Sequence, residues 1–243
     1  MLIVKMENRQ REILNLIIKE YIKTAEPVGS QILVEKYKLE FSPATVRAEM
    51  MELSEKGYLR QPHTSAGRVP TDKAYRFFVD RLSEDDQPYN ASEEFLEVIE
   101  KFSREGSGFP KVIRDTARTI SFISSGVGLC GFCEEDDFFS AGLPNLLKQP
   151  EFIGDSDFPK SLEVFDHLDQ EIKNIFNEIE KEVQVFIGKE SGGRKFDEFS
   201  LVVSKCENRQ KQNGVVGVMG PKRMDYQKNI RLVSCAQKML KDL

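Results

Sequence analysis

Residues Glu40 to Leu82 read EFSPATVRAEMMELSEKGYLRQPHTSAGRVPTDKAYRFFVDRL, and they decide the fold of the N-terminal part of the chain. Ser42 followed by Pro43 starts a helix. A serine oxygen caps free backbone N–H groups, and proline loses nothing at the first helical position, where its missing donor has no partner. Val46, Met50 and Leu53 recur at helical spacing and mark a core stripe, leaving Ala44, Thr45, Arg47, Ala48 and Met51 on the remaining surface. Gly57, behind Glu55 and Lys56, is the left-handed residue expected to end the helix. Tyr58-Leu59-Arg60 and Arg68-Val69-Pro70 then read as two short strands around the exposed turn Gln61 to Gly67 (QPHTSAG). Thr71 caps a further helix with Tyr75, Phe78, Val79 and Leu82 along one side. Helix, hairpin and helix in this order have the layout of a DNA-reading helix, a β-wing and a supporting helix.

Upstream, Ile13, Leu14, Ile17, Ile18, Tyr21 and Ile22 fall in pairs every four residues and predict an amphipathic first helix. Ala25 to Gly29 (AEPVG) breaks it, and Ser30 is the expected cap of a short second helix carrying Ile32, Leu33 and Tyr37. Together these make a helix-turn-helix, in which the second helix braces the third against a duplex. The residues placed to meet DNA are Ser42, Ala44, Thr45, Arg47 and Ala48 on the reading helix, with His63, Thr64, Ser65 and Arg68 on the wing. Ser42 and the helix start suit a phosphate, Thr45 and Arg47 the major groove, and His63 and Arg68 the backbone or minor groove. A merely solvated loop is the other reading of the wing tip. Tyr75 and Phe78 read as core rather than as platforms for base stacking.

The whole chain is 40% apolar and 31% charged, the balance of a soluble globular protein. No apolar run approaches the roughly 20 residues that cross a bilayer, and the opening MLIVKMENRQREIL lacks the long apolar core and cleavage site of a signal peptide. A cytoplasmic address and reduced thiols are therefore expected for a chain with four cysteines. The net charge of −5 conceals a split: residues 1–82 hold 14 Lys+Arg against 11 Asp+Glu, giving +3, and the rest hold 21 against 29, giving −8. Basic charge travels with the candidate reading head.

Four stretches carry a more specific signal: Arg9-Gln10-Arg11-Glu12-Ile13-Leu14, Glu26-Pro27-Val28-Gly29-Ser30, Ser42-Pro43-Ala44-Thr45-Val46-Arg47, and Gln61-Pro62-His63-Thr64-Ser65-Ala66-Gly67-Arg68-Val69-Pro70-Thr71-Asp72. In these the chain resembles the bacterial heat-inducible transcription repressor family, HrcA. The resemblance implies a winged-helix repressor that binds an inverted-repeat operator, known as CIRCE, as a dimer upstream of chaperone operons. It further implies that chaperonin keeps the repressor active, so that heat stress, by occupying chaperonin, releases the operon. Where the family commonly follows the arginine of the reading helix with asparagine and an acidic residue, this chain has Ala48-Glu49. Asparagine can read adenine with two hydrogen bonds and alanine offers only a methyl, so the implied operator preference differs.

Ser83 to Tyr89 (SEDDQPY) reads as a linker, which divides the chain into a DNA-binding domain at 1–82, a linker at 83–92 and a second domain at 93–243. Phe95, Val98, Ile99 and Phe102 mark a helix, interrupted over Arg104 to Pro110, and Ile113, Thr116, Ile120 and Ile123 mark the next. Gly126 to Cys133 reads as a strand, Leu162 to Ile179 as one long amphipathic helix, and Val183–Ile187, Phe199–Val203 and Val215–Met219 as three strands. Gly192-Gly193 and Asn213-Gly214 are turn signals, and Ile230, Val233 and Leu240 stripe a last helix. The expected class is α+β in two domains. Phe139 to Phe152 and Gly217 to Ile230 again resemble the HrcA family, which implies a GAF-like second domain for dimerisation and regulation. The few residues between Cys133 and Phe138 imply that most of the family's dimerising insertion is missing.

No nucleophile, base or metal constellation points to an enzyme. Cys130 and Cys133 form a CxxC pair with no second knuckle, and the only histidines are His63 and His167, so neither metal nor cofactor is expected. Gly217 to Gly220 lacks the glycine-lysine-serine/threonine spacing of a phosphate loop and reads as a hairpin end or strand-to-helix turn. Asp136 and Asp137 read as a solvated acidic loop, and Asp225 as a helix cap beside Arg223. A regulator sensing a small molecule through a GAF-like domain, and an interaction protein that no longer binds DNA, are the alternatives to a repressor. A homodimer with the helices at 93–124 and 161–181 at its interface is expected of a repressor of an inverted repeat.

Overall fold

The computed structural model describes residues 6–82, 92–103, 108–132, 137–153, 165, 168–191, 197–207 and 211–241. Two compact units divide the chain, Met1–Asp85 and Asp86–Leu243. The expected linker at Ser83 to Tyr89, the Gly192-Gly193 turn, Cys133, Asp136 and His167 lie outside the described residues.

In the first unit, α1 (Asn8–Thr24) buries Ile13, Leu14, Ile17 and Ile18, and it ends where Ala25 turns to φ 56° with its N–H on the Tyr21 carbonyl. α2 (Ser30–Tyr37) carries Ile32, Leu33 and Tyr37 as expected and corrects the expected cap. Gly29 holds the cap position, while Ser30 lies inside the helix, buried, without a capping side-chain bond. Leu33 packs into the core, but Ile32 is exposed. α3 (Pro43–Glu55) starts as its sequence dictates, with Ser42 Oγ accepting the Thr45 N–H at 3.1 Å, and it buries Val46, Met50 and Leu53. Gly57 takes φ 76° and turns the chain into the antiparallel pair β1 (Leu59–Arg60) and β2 (Val69–Pro70). Thr71 then opens α4 (Asp72–Leu82), its hydroxyl donating to the Gly57 carbonyl at 2.8 Å. Tyr75 and Phe78 are buried with Ala74 and Val79, so these two aromatic residues of α4 are core, while Phe77 is half-buried.

The second unit runs α5 (Ser92–Ser103), α6 (Phe109–Ser124), β3 (Val127–Phe132), β4 (Asp137–Ala141), α7 (Leu143–Leu147), α8 (Leu168–Phe176), β5 (Gln184–Ile187), a 3-10 turn (Gly188–Ser191), β6 (Phe199–Glu207), β7 (Asn213–Pro221) and α9 (Tyr226–Lys241). Its strands form one antiparallel sheet in the order β4-β3-β7-β6-β5. On one face Leu129, Phe186, Leu201, Val203 and Met219 pack with Leu146 of α7 and with Leu168, Ile172 and Ile175 of α8. The other face meets α6 and α9. Gly128 lies so close to α6 that an added Cβ would stand 2.0 Å from the Ala117 carbonyl oxygen. On α9, Tyr226 Oη lies 2.8 Å from Ser200 Oγ and donates to the Lys222 carbonyl. Helices on both faces explain why the central strands read as continuous apolar runs instead of alternating.

That double cover also explains where sequence expectations fail. Asn213-Gly214 is no turn: both residues belong to β7, Asn213 opposite Glu207 and Gly214 opposite Cys206 and Phe132. Gly217 to Gly220 is likewise strand rather than hairpin end, and Gly217 is small because a Cβ there would lie 2.6 Å from Val203 Cγ1. Asp137 is not part of a loop but starts β4, paired with Phe132. Among the described residues the helix expected over Leu162 to Ile179 covers only Leu168–Phe176, with Ile179 buried beyond its end. Pro110 sits in the first turn of α6, where it suits a helix start rather than an interruption. On α9 the core stripe is Leu232, Val233, Ala236 and Leu240, with Ile230 only half-buried.

Gly128→Ala forces apart a strand and a helix that cannot both yield, and is expected to lower stability by about 1–3 kcal/mol, the usual range for overpacking. A shift of the denaturant midpoint at unchanged slope, read by far-UV circular dichroism, checks it.

Candidate nucleic-acid interface

The pose of α3 is set by two polar residues of the first turn of α1, the exposed Arg9 and the buried Gln10. Arg9 Nε donates to Glu49 Oε1 at 2.5 Å, and its guanidinium also lies 5.6 Å from the centroid of the Phe41 ring. One residue on, Gln10 Nε2 donates to Glu52 Oε2 at 2.6 Å, while Lys56 Nζ donates to Gln10 Oε1 at 2.7 Å. Two carboxylates of α3 are therefore turned toward α1 and matched by donors there. α3 leaves Ala44, Arg47, Ala48 and Met51 exposed, with Pro43 at its start and Glu52 and Glu55 in its last two turns, and among the described residues nothing pairs with the Arg47 guanidinium.

The helix start is partly spent on itself. Ser42 Oγ takes the Thr45 N–H and lies 2.9 Å from Thr45 Oγ1, leaving Thr45 half-buried. Free donors of this turn are the unpaired backbone N–H groups and whichever of the Ser42 and Thr45 hydroxyls accepts in their mutual hydrogen bond, and Ser42 also holds the turn as its cap.

α2 is locked to α1 in the same way. Glu20, buried, accepts Lys36 Nζ at 2.6 Å and Tyr37 Oη at 2.8 Å. The Lys36 hydrogen bond holds the Glu20 carboxyl below its usual value of 4.5 against the opposing effect of burial, with Tyr37 adding to the hold. Burial and the Glu20 carboxylate push the Tyr37 phenol up to about 12.

The wing is braced at both ends. Gln61 Nε2 donates to the Thr64 and Ala66 carbonyls at 3.0 and 2.9 Å, and the Ala66 N–H closes a turn on His63, which leaves His63, Thr64 and Ser65 exposed at the tip. Arg68 is placed differently from the expectation that put it beside the tip. It sits half-buried at the wing's base and exchanges two 2.9 Å backbone hydrogen bonds with Val28. A Cβ at Gly67 would fall 2.5 Å from the Val28 carbonyl, so this bridge demands glycine next door. Sequence reading missed the bridge and the Arg9, Gln10 and Glu20 clamps; the signal available for Gln10 and Glu20 was polar residues on the buried side of α1, and Arg9, exposed, gave none.

In the second unit the polar residues hold the fold together. Asn145 Nδ2 donates to Ser121 Oγ at 3.0 Å, and Arg223 joins Gln149 at 2.7 Å and pairs with Glu151. Asp225 Oδ1 accepts the Lys228 N–H at 3.0 Å at the start of α9. Gly217 to Gly220 has its backbone in the ladders with β3 and β6 and cannot cradle a phosphate. Cys130 is buried within β3 and its burial pushes the thiol well up, away from the thiolate that binds metal. Among the described residues no group of three or more His, Cys, Asp or Glu is placed to hold a metal ion, and no helix is long and apolar enough to cross a membrane.

A family model described as the HrcA protein C-terminal domain matches residues 74–230. The chain is 29% identical over 334 aligned positions to the heat-inducible transcription repressor HrcA of Thermoanaerobacter pseudethanolicus, covering 98% of this chain and 97% of that protein. Since the chain has 243 residues, at least 91 of those positions (334 less 243) stand opposite gaps in it. It is also 60% identical over 77 residues to the HrcA repressor of Beutenbergia cavernae, a match covering 32% of this chain and 22% of that protein. A crystal structure described as that of a hypothetical protein at 2.2 Å resolution shares the fold, with a TM-score of 0.78, 21% identity and 98% of both chains covered.

The Glu20 clamp predicts a pH dependence. A carboxyl held low in the folded state gives stability that is present above pH 4.5 and lost as the pH falls through its folded value. The raised Tyr37 phenol gives stability that is present below pH 10 and lost as the pH rises toward 12. Hydrogen-exchange protection of α1 and α2 amides, corrected for intrinsic rates, should fall more between pH 6 and 3 in the wild type than in Glu20→Gln. Parallel curves would refute the clamp.

Proposed function

The chain belongs to the HrcA family, and on that premise we propose that it is a transcriptional repressor of heat-shock chaperone operons that binds a CIRCE-type inverted repeat as a homodimer and leaves it under heat stress. The observation that carries this reading is α3. Its N-terminal half presents an unpaired arginine among small residues, Glu49 is turned inward onto Arg9, and the exposed Glu52 is matched by Gln10 and Lys56, a surface that can approach a polyanion. Three helices followed by a braced hairpin support a winged helix-turn-helix for the first unit. The antiparallel sheet between helical layers supports a GAF-like second unit for dimerisation and regulation.

In this mechanism α3 enters the major groove with Ala44, Thr45, Arg47 and Ala48 toward the base edges, the cap at Ser42 sets the helix start against a phosphate, and the wing tip at His63, Thr64 and Ser65 meets the neighbouring backbone. Arg68 acts from the wing base, orienting the hairpin through Val28 as well as bringing positive charge. Two-fold symmetry in the operator calls for two heads, and α5, α6 and the stretch 161–181 are the surfaces proposed to join them. Chaperonin is the proposed partner that sets how much active repressor is present.

Fluorescence anisotropy with an inverted-repeat duplex and a scrambled duplex tests the reading. Binding should prefer the repeat and weaken steeply with salt, because phosphate contacts release counterions. Arg47→Ala should cost about 1–3 kcal/mol on the repeat if it reads a guanine, and much less on the scrambled duplex. Indifference of the wild type between the two duplexes would sink the repressor reading.

A further inference from the structure

We propose that Met51, with Ala48 beside it, reads thymine C5-methyl groups in the major groove, so that apolar contact determines operator sequence alongside the hydrogen bonds of Arg47; this rests on the repressor reading above. Met51 is 52% exposed, although its neighbour Met50 is 3% exposed in the core. On a helix, residues 44, 48 and 51 share one strip, with Arg47 at its edge. Ala44 and Ala48 keep that strip low. The backbone can therefore come close to base edges while the longer Arg47 and Met51 side chains reach in from it.

The electrostatics of the strip fit the same partner. Glu49 is buried on Arg9 and leaves the strip; Glu52 is exposed and borders it one turn beyond Ala48, but its charge is matched by Gln10 and Lys56. Glu55 follows only one turn beyond Met51 and closes it. Along the axis Ala48 and Met51 are about 4.5 Å apart at 1.5 Å per residue. This is near the roughly 3.4 Å spacing of successive bases, so the two residues address neighbouring steps. In the major groove of the four bases only thymine offers a methyl group, and an unbranched thioether can follow its position. Residues 1–82 carry a net charge of +3 against −8 for the rest of the chain, which favours DNA over an apolar protein surface as the partner of this strip.

The test uses the full chain. A randomised duplex pool is enriched by binding, and each thymine of the enriched sequence is then replaced by deoxyuridine, which lacks only the methyl. At one or two positions uracil should weaken wild-type binding about fourfold, the equivalent of ~0.8 kcal/mol for one buried methyl group at 1.4 kcal/mol per factor of ten. Met51→Ala should bind the thymine duplex more weakly and be blind to uracil at those positions, with unspecific binding at low salt retained as evidence of folding. Wild-type binding that ignores uracil everywhere overturns the proposal, as does an equal uracil penalty in Met51→Ala, and both leave the repressor reading standing. Failure of any sequence to enrich overturns the repressor reading and this one with it.

Discussion

The capture of Glu49 by Arg9 is the contact on which the exposed face of α3, proposed above to meet DNA, depends. Glu49 is 5% exposed while Arg9 remains accessible, so the pair is buried on one side only. Such a pair adds little net stability, because desolvating a carboxylate offsets most of the attraction. Its effect is directional. Removing the arginine would leave a buried charge without a partner, which typically costs about 3–5 kcal/mol, and a helix rotated to release that charge would carry it toward the surface that meets DNA. α3 therefore has one comfortable rotation, and that rotation presents Ala44, Arg47, Ala48 and Met51 outward.

The remaining contacts of the first unit extend that constraint. Gln10 links Glu52 and Lys56, so the first turn of α1 holds both the middle and the end of α3. Glu20 ties α2 to α1 near its other end through Lys36 and Tyr37. The Val28–Arg68 bridge then fastens the wing to the turn before α2, and Gly67 is the residue that lets the two backbones meet. Reading helix, brace and wing are consequently positioned by polar contacts over a common apolar core. A hairpin with two residues in each strand could not hold its place alone.

What could be read from the sequence was local. Ser42-Pro43, the Val46-Met50-Leu53 stripe and Gly57 act within a few residues of themselves, and all three mark α3 as they should. Arg9 and Glu49 are forty residues apart, so no pattern within α3 shows which way Glu49 turns. In the second unit the turn chemistry of Asn213-Gly214 and Gly217 was overridden by tertiary pairing. Both glycines sit where neighbouring strands leave no space for a Cβ, a reason that exists only once β3, β6 and β7 are side by side. Met51 shows that spacing outranks residue type: it is apolar, yet it falls off the Val46-Met50-Leu53 stripe and is exposed, as its position in the helix requires.

The second unit puts a limit on how its surfaces can be used. Both faces of its sheet are covered by helices, so a partner cannot reach the strands through a face. Contact must come through the outer sides of those helices or along the edges at β4 and β5. β4 carries Phe139 against Arg114 and Arg118 of α6, which places aromatic and cationic groups together on one edge. The short connection from Phe132 to Asp137 brings β4 back onto β3 as a hairpin, and the alignment with a longer relative leaves at least 91 positions of that protein unmatched (334 less 243). In the proposed dimer the second unit would therefore have to pair through its helical flanks or through the edges at β4 and β5, because the faces of the sheet are already occupied.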